Sequence, residues 1–416
     1  MVTDRLRVYL HNSLAGYLWF SDTSRFSFQY DPGYLEDPNA IPLSLSLPMR
    51  EAPYANDTAR PFFSNLLPEG EVRSLIAKIK QISEHNDFKL LEAIGGECAG
   101  AVSIIPEYMV LRTESDYTVL PEKELEDIIS ENAIRPILHL KDELRLSLAG
   151  AQNKIPVYFD SGRFYLTSGI APSSHILKPQ SAYFGDMVQN EHFCMMLAKV
   201  VRLPVPKSYI WKGKKHIAYI VERYDRIKVK DGMIERLHQE DLCQVLSRMP
   251  DQKYESEGGP GLSACWQVLD MYSSEPILDK LAMIKWVIFN YFIGNADAHA
   301  KNLSLIREVN RNIRLAPFYD LISTRVYPEI SKKSAMRIGK ETRFDWIMER
   351  HWQQMADQLD LKFTYVKRLL RNVAETLEKY TTEMANSTIL KHGGEKTILK
   401  ICGIIDTHIK HVKIYL

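Results

Sequence analysis

The stretch Gly294-Asn295-Ala296-Asp297-Ala298-His299-Ala300-Lys301-Asn302 sets the reading of the whole chain. Residues 277–293 ahead of it are apolar at helical spacing, so a long helix delivers the chain into a short polar run. Behind it, Asn302-Leu303-Ser304-Leu305-Ile306 reads as a strand and residues 308–312 as a turn. Residues 313–317 read as a second strand running into Phe318-Tyr319-Asp320. A hairpin therefore separates Asn302 from Asp320 along the chain and can bring them together in space.

Phosphoryl transfer calls for this set of groups. One carboxylate accepts the proton of the attacking hydroxyl, while a second carboxylate and an amide oxygen hold magnesium on the phosphates. Asp297 and Asn302 have the D-x-x-x-x-N spacing of kinase catalytic loops. Asp320 falls beyond a hairpin, where the kinase metal-binding Asp falls. The spacing alone arises often by chance; the hairpin and Asp320 make it more specific. The competing reading is a helix-capping loop, with Asp297 as the cap and Asn302 as a turn residue.

Three further segments carry chemistry. Arg145-Leu146-Ser147-Leu148-Ala149-Gly150-Ala151-Gln152-Asn153-Lys154 precedes a strand, and its small residues let backbone N–H groups approach phosphate oxygens. It is neither GxxxxGK[ST] nor GxGxxG, so by pattern alone a hairpin-entry turn is the commoner explanation. Ser174-His175-Ile176-Leu177-Lys178-Pro179 is an apolar strand with one Lys, which fits the kinase strand lysine; Glu191 on the following helix is a candidate partner. Alone, such a Lys is usually a surface residue at a strand end. Ala218-Tyr219-Ile220-Val221-Glu222-Arg223-Tyr224-Asp225-Arg226 ends a strand where the pattern changes, and solvated strand-end charges would explain it as well as a hinge.

The elements around these segments fall into an order. Residues 7–10 and 14–20 alternate as a hairpin, 68–82 and 88–94 read as helices, and 101–105 as a strand. A connector with an acidic helix at 121–131 follows. Strands are predicted at 154–159, 163–167, 174–178, 208–211 and 216–222, with a helix at 188–200. From Gln239 onward the apolar spacing is mostly helical. The predicted division is an α+β unit over 1–106, a β-rich unit over 107–225 and an α-rich unit over 226–416.

At roughly 150 residues per domain, the 416 residues suggest two to three domains, and 45% hydrophobic residues suffice for a sizeable core. Lys plus Arg is 53 and Asp plus Glu is 52, so overall charge does not make this chain a nucleic-acid binder. Cys98, Cys194, Cys243, Cys265 and Cys402 form no CxxC pair. They indicate neither a disulfide framework nor a zinc site, and they fit a reducing, cytoplasmic compartment. No apolar run approaches the roughly 18–20 residues of a membrane span. His11 and Asn12 interrupt the first apolar run too early for a signal peptide.

Together the segments resemble the HipA-type toxin kinases of HipBA toxin–antitoxin systems. The marks include Arg60-Pro61-Phe62-Phe63-Ser64-Asn65-Leu66-Leu67-Pro68-Glu69-Gly70 and Ile94-Gly95-Gly96-Glu97-Cys98-Ala99-Gly100-Ala101. Gln239-Glu240-Asp241-Leu242-Cys243-Gln244, Gly258-Gly259-Pro260-Gly261 and the segments above complete the set in family order. The resemblance implies an α+β, two-lobed protein-kinase-like fold, with an N-terminal α+β subdomain, a β-rich lobe and an α-helical C-terminal lobe. It implies a serine/threonine protein kinase using ATP and Mg2+.

By match to the family motifs, Asp297 is the catalytic base, and Asn302 and Asp320 hold the metal. Ala149, Gly150, Ala151, Gln152, Asn153, Lys154 and Lys178 contact phosphates, and Glu222, Arg223 and Tyr224 contact adenine. His299, Lys301 and Tyr319 complete the ATP site, and Ser147 matches the family's autophosphorylated serine. The implied partners are a HipB-type helix-turn-helix antitoxin, operator DNA through that complex, and a protein substrate, glutamyl-tRNA synthetase in the family's best-known case. Phosphorylation of that substrate favours persistence; no membrane partner is implied.

The chain departs from the family at Asn153, where many members carry Glu, and at His238, where Pro is frequent. Two alternatives compete. One is a small-molecule phosphotransferase of aminoglycoside or choline type, which shares the Asp and Asn logic. The other is a catalytically weak co-repressor, whose C-terminal residues 391–416 carry five Lys against Glu395 and Asp406. So small a surplus is more often a solvated face.

Overall fold

The computed structural model describes residues 5–20, 25–109, 115–130, 153–169, 171–229 and 233–416. Ser147, Ala149, Gly150, Ala151 and Gln152 lie outside the described residues.

Alternating apolar residues build the first layer. Strands β1 (Arg5–Leu10), β2 (Ser13–Phe20), β3 (Phe26–Tyr30) and β4 (Val102–Pro106) form an antiparallel sheet in the order β3-β2-β1-β4. Leu6, Val8 and Leu10 turn one face of β1 inward. Helices α1 (Pro32–Glu36), α2 (Asn56–Ser64), α3 (Gly70–Lys80) and α4 (Asp87–Ile94) belong to the same region. Phe28, Phe62, Phe63 and Phe88 close its core, each full burial stabilising the fold by about 1.5–3 kcal/mol.

The second sheet joins β5 (Ser115–Leu120), β6 (Ile155–Asp160), β7 (Arg163–Gly169), β8 (His175–Pro179), β9 (Ser208–Lys212) and β10 (Ile217–Glu222). Its order is β5-β7-β6-β8-β10-β9, and its pairs are antiparallel. Helix α5 (Glu122–Ser130) buries Leu125, Ile128 and Ile129 in the core of this sheet. Helix α6 (Met187–Val200) connects β8 to β9 and packs against β9 and β10. It sinks Phe193 and Leu197 into the core of the helical region.

That helical region is built on α7 (Leu242–Val245), α8 (Leu262–Tyr272), α9 (Pro276–Ile293), α10 (Glu349–Gln358), α11 (Phe363–His392) and α12 (Glu395–Lys413). Helix α9 packs against α8, α11 and α12, which is why it is apolar nearly all round. It starts on Pro276 and stops on Gly294, whose φ of +67° suits glycine at a helix end. None of the described helices is long and apolar enough to cross a membrane.

Beyond Gln239 the chain is mostly helical, as the spacing predicts, and the strands expected over 302–306 and 313–317 are present; short strands that the spacing does not announce join them. Strands β11 (Arg226–Lys228) and β12 (Ile234–Arg236) pair with each other. Strands β13 (His238–Asp241), β14 (Ser304–Arg307) and β15 (Ile313–Leu315) form a three-stranded sheet, and β16 (Lys333–Ile338) pairs with β17 (Glu341–Arg343). Strand β13 reads His-Gln-Glu-Asp and offers no apolar alternation. Its extended form comes from pairing with β14, more than sixty residues later in the chain.

Candidate active site

A cleft of about 1350 Å³ gathers residues from all three regions. Every described residue singled out from the sequence lines it: Asn153, Lys154, Lys178, Glu222, Arg223, Tyr224, Asp297, His299, Lys301, Asn302, Tyr319 and Asp320.

Lys178 is the electrostatic centre. Strand β8 carries it opposite Tyr219 of β10, and its Nζ donates to Glu191 Oε1 of α6 at 2.6 Å. The same ammonium bonds Asp320 Oδ1, and Lys154 Nζ lies 3.3 Å from Asp320 Oδ2. Burial alone would drive the Lys178 pKa down, but Asp320 and Glu191 outweigh it and push it up. Burial works against the Asp320 carboxylate too, yet Lys154 and Lys178 hold its pKa below the usual carboxylate range. For Glu191, burial raises the pKa and Lys178 only partly offsets this. The balance leaves an ionised Asp320 on a protonated Lys178. Asp320 also has a φ of +54°, in the left-handed region that Asp tolerates better than most residues. Such outliers cluster at functional sites.

The Asp297 loop is fixed from behind. Asn295 Nδ2 donates to Asn290 Oδ1 at 2.8 Å, and Asn295 Oδ1 accepts the Asp297 N–H at 3.1 Å. The Ala296 N–H donates to Thr324 Oγ1 at 2.7 Å. Within this otherwise buried loop Asp297 is the exposed residue, so its carboxylate faces the cleft. It accepts the Tyr254 hydroxyl at 2.5 Å and lies 3.7 Å from His299 Nε2. Burial pushes the His299 imidazole down to about 4, so it is neutral near pH 7. The turn Ala300–Asn302 is closed by Asn302 Oδ1, which accepts the His299 N–H at 3.0 Å.

Two cationic side chains of the cleft are engaged by protein partners. Lys301 Nζ turns to Asn65 Oδ1 at 2.7 Å and Glu69 Oε1 at 3.0 Å. Arg223 forks onto Asp225 at 3.0 and 2.9 Å and reaches Glu97 at 3.2 Å. Arg226 meets the same Glu97 at 3.0 Å, and Asp225 accepts the Gly100 N–H at 2.8 Å. This buried ion network fastens the first region to the end of β10. Tyr224 stacks on Tyr319 with ring centres 5.6 Å apart, and Tyr319 donates to the Lys301 carbonyl at 2.7 Å.

Sequence reasoning assigned no role to Asn65, Glu69, Asp241, Lys253 or Tyr254, although all five line the cleft. Asn65, Glu69 and Asp241 sit inside motifs that marked the resemblance. Lys253 and Tyr254 had no local signal, because a turn and a tertiary contact place them.

A strand lysine paired with a helix glutamate, facing an Asp–Asn loop and a hairpin-delivered Asp across one cleft, defines a two-lobed, kinase-like fold. Residues 6–105 match the HipA N-terminal domain, and residues 146–381 match the HipA-like C-terminal domain. The chain belongs to the HipA family. It is 37% identical to Y4mE of Sinorhizobium fredii over 366 residues, 87% of each chain. It is 29% identical to the serine/threonine-protein kinase toxin HipA of Shewanella oneidensis, over 81% of this chain and 79% of that one. The solved complex of Shewanella oneidensis HipA, HipB and operator DNA contains a similar chain. The TM-score is 0.83 at 25% identity, covering 98% of this chain and 97% of that chain.

Proposed function

We propose that this protein is an ATP-dependent serine/threonine protein kinase and the toxin of a toxin–antitoxin pair. The observation that carries the proposal is the Lys178–Glu191–Asp320 cluster standing in one cleft with the Asp297–Asn302 loop. In this reading Asp297 takes the proton of a serine or threonine hydroxyl as that oxygen bonds to the γ-phosphorus of ATP and ADP leaves. Lys178 and Lys154 neutralise phosphate oxygens, and Asn153 and the backbone N–H groups of residues 149–152 donate hydrogen bonds to them. The stacked Tyr224–Tyr319 pair and Glu222–Tyr224 border the adenine end, with His299 and Lys301 alongside.

Asp320 and Asn302 offer hard oxygen donors, and Asp320 is held ionised; that donor set fits Mg2+. The metal would neutralise charge developing on the phosphates. The division at residues 106 and 225 separates the three working parts.

The Shewanella oneidensis relative is named a serine/threonine-protein kinase toxin, and its complex holds HipB and operator DNA. These support a HipB-type antitoxin, operator DNA through that complex, and a cytoplasmic site of action for this chain. Glutamyl-tRNA synthetase is the first substrate to try, and Ser147 the first autophosphorylation site. The test is incubation of the purified protein with γ-labelled ATP and Mg2+, with and without glutamyl-tRNA synthetase and with aminoglycosides or choline. Label on protein serine or threonine supports the reading. Label on the small molecules alone contradicts it.

A further inference from the structure

Glu69 stands at the end of the 60–70 motif, immediately before α3, in the region that carries the first sheet. Gly70, with a φ of +54°, lets the chain turn there, as few other residues would. The Glu69 carboxylate points away from its own region. Oε2 accepts Lys253 Nζ at 2.8 Å, and Oε1 lies 3.0 Å from Lys301 Nζ. Lys301 belongs to the Asp297–Asn302 loop, and its ammonium is buried. Its other neighbours are Asn65 Oδ1 at 2.7 Å and Asp241 Oδ2 at 3.8 Å. Asn65 is itself pinned, since its amide donates to the Arg248 and Pro61 carbonyls at 2.7 Å each.

We infer that Glu69 is a positioning residue for phosphoryl transfer: through Lys301 it clamps the Asp297–Asn302 loop to the N-terminal region. This rests on the kinase reading above. The physical reason is the cost of burying an ammonium. A buried lysine is tolerable only when opposite charge and acceptors surround it, so Lys301 is held where Glu69, Asn65 and Asp241 converge. Four residues upstream of Lys301 is Asp297, and one downstream is Asn302. Fixing the Lys301 side chain, with its carbonyl held by Tyr319 at 2.7 Å, fixes the backbone between those two. The N-terminal region then acts as a structural part of the catalytic loop. Misplacing a reacting group by about 1 Å can cost on the order of 100-fold in rate.

The test compares Glu69→Gln, Lys301→Met and the double variant in the full chain. Two readouts are taken: amide exchange of the peptide spanning residues 294–303, and phosphoryl transfer with separately measured ATP affinity. Each single variant is expected to raise exchange in that peptide about tenfold or more. Glu69→Gln should lower kcat at least tenfold while ATP affinity in Mg2+ stays within about threefold. If Glu69 acts through Lys301, the double variant is no slower than Lys301→Met alone. Parental exchange in the 294–303 peptide, kcat within twofold of the parent, or fully additive losses would each overturn the inference. Should Glu69→Gln not fold, Lys301→Met decides: parental exchange in that peptide overturns it. An inactive parent would refute the kinase reading instead, and the exchange measurement would still decide the clamp.

Discussion

The Tyr254 hydroxyl donates to Asp297 Oδ1 at 2.5 Å, so the carboxylate assigned as base already holds a hydroxyl proton donor. An acceptor serine would have to present its hydroxyl to the same carboxylate. Burial, then Asp297 itself, raises the Tyr254 pKa well above its ordinary value, so the phenol stays protonated across the working pH range. With Asp297 as the proposed base, Tyr254 would compete with the acceptor hydroxyl and not with ATP. Tyr254→Phe is expected to lower KM for the acceptor several-fold and to leave ATP affinity unchanged. A hydrogen bond to a charged group is worth about 1.5–3 kcal/mol, which sets the upper limit. Steady-state kinetics with both substrates varied is the check, and a rise in acceptor KM would contradict the competition.

Asp320→Ala and Asn302→Ala are each expected to weaken Mg2+-dependent nucleotide binding. In Asp320→Ala the Lys178 and Lys154 ammonium groups also lose their shared carboxylate. Some metal-independent attraction for phosphate should then survive. Calorimetry with ATP, with and without Mg2+, separates the two contributions. Equal affinity in both variants and the parent, with Mg2+ present, would place the metal elsewhere.

Glu240 gives a pH signature of stability. It is buried on β13 and accepts the Ser44 hydroxyl at 2.5 Å and the Leu45 N–H at 3.0 Å from the first region. Burial raises its pKa to about 7, against the partial opposition of those two donors. A carboxyl raised from 4.5 in the unfolded chain favours the folded state most below pH 4.5, and that contribution is lost as pH rises through 7. The full span is of the order of 3 kcal/mol. Glu240→Gln keeps the shape, and the Ser44 hydroxyl can reverse to accept its amide. The variant is expected to melt higher than the parent at pH 8 and to show a flatter melting profile between pH 4.5 and 7. A parallel shift at all pH values would contradict the assignment.

Much of this architecture is legible in the chain itself. The 3.6 spacing in α9 and the hairpin after Asn302 are enough to place Asp297, Asn302 and Asp320 near one another. The Lys178–Glu191 pair is likewise readable, because a strand and the next helix carry one each. Strand β13 was not readable, since its four polar residues owe their shape to β14. Glu69 and Tyr254 were invisible as site residues for a related reason. Each reaches the loop from a region whose docking no local pattern specifies. Arg223 shows what position alone leaves open: its guanidinium is engaged by Asp225 and Glu97, so only its backbone is left to meet a ligand at the end of β10.

Ser147 supplies a further prediction. A phosphoserine brings about −1.5 to −2 charge at pH 7. Three residues ahead of Gly150, that charge would repel ATP phosphates and compete for the same backbone N–H groups. Ser147→Asp is expected to weaken ATP binding, and Ser147→Ala to abolish slow autophosphorylation without changing the melting temperature. Mass spectrometry after incubation with ATP reads the outcome. An unmodified Ser147 peptide beside phosphorylated substrate would refute the switch.

The proposed role of Asp297 is that of the base in a phosphoryl transfer carried out in this cleft. Asp297→Asn keeps the side chain's shape and can still accept the Tyr254 hydroxyl, but the amide cannot take up a proton. The decisive measurement is phosphate incorporation from γ-labelled ATP by purified Asp297→Asn, with ATP binding measured on the same preparation. The expected result is a loss of about 10²–10⁴-fold in transfer, the usual worth of a positioned general base, with ATP affinity retained. Near-parental incorporation by a variant that binds ATP normally would contradict it.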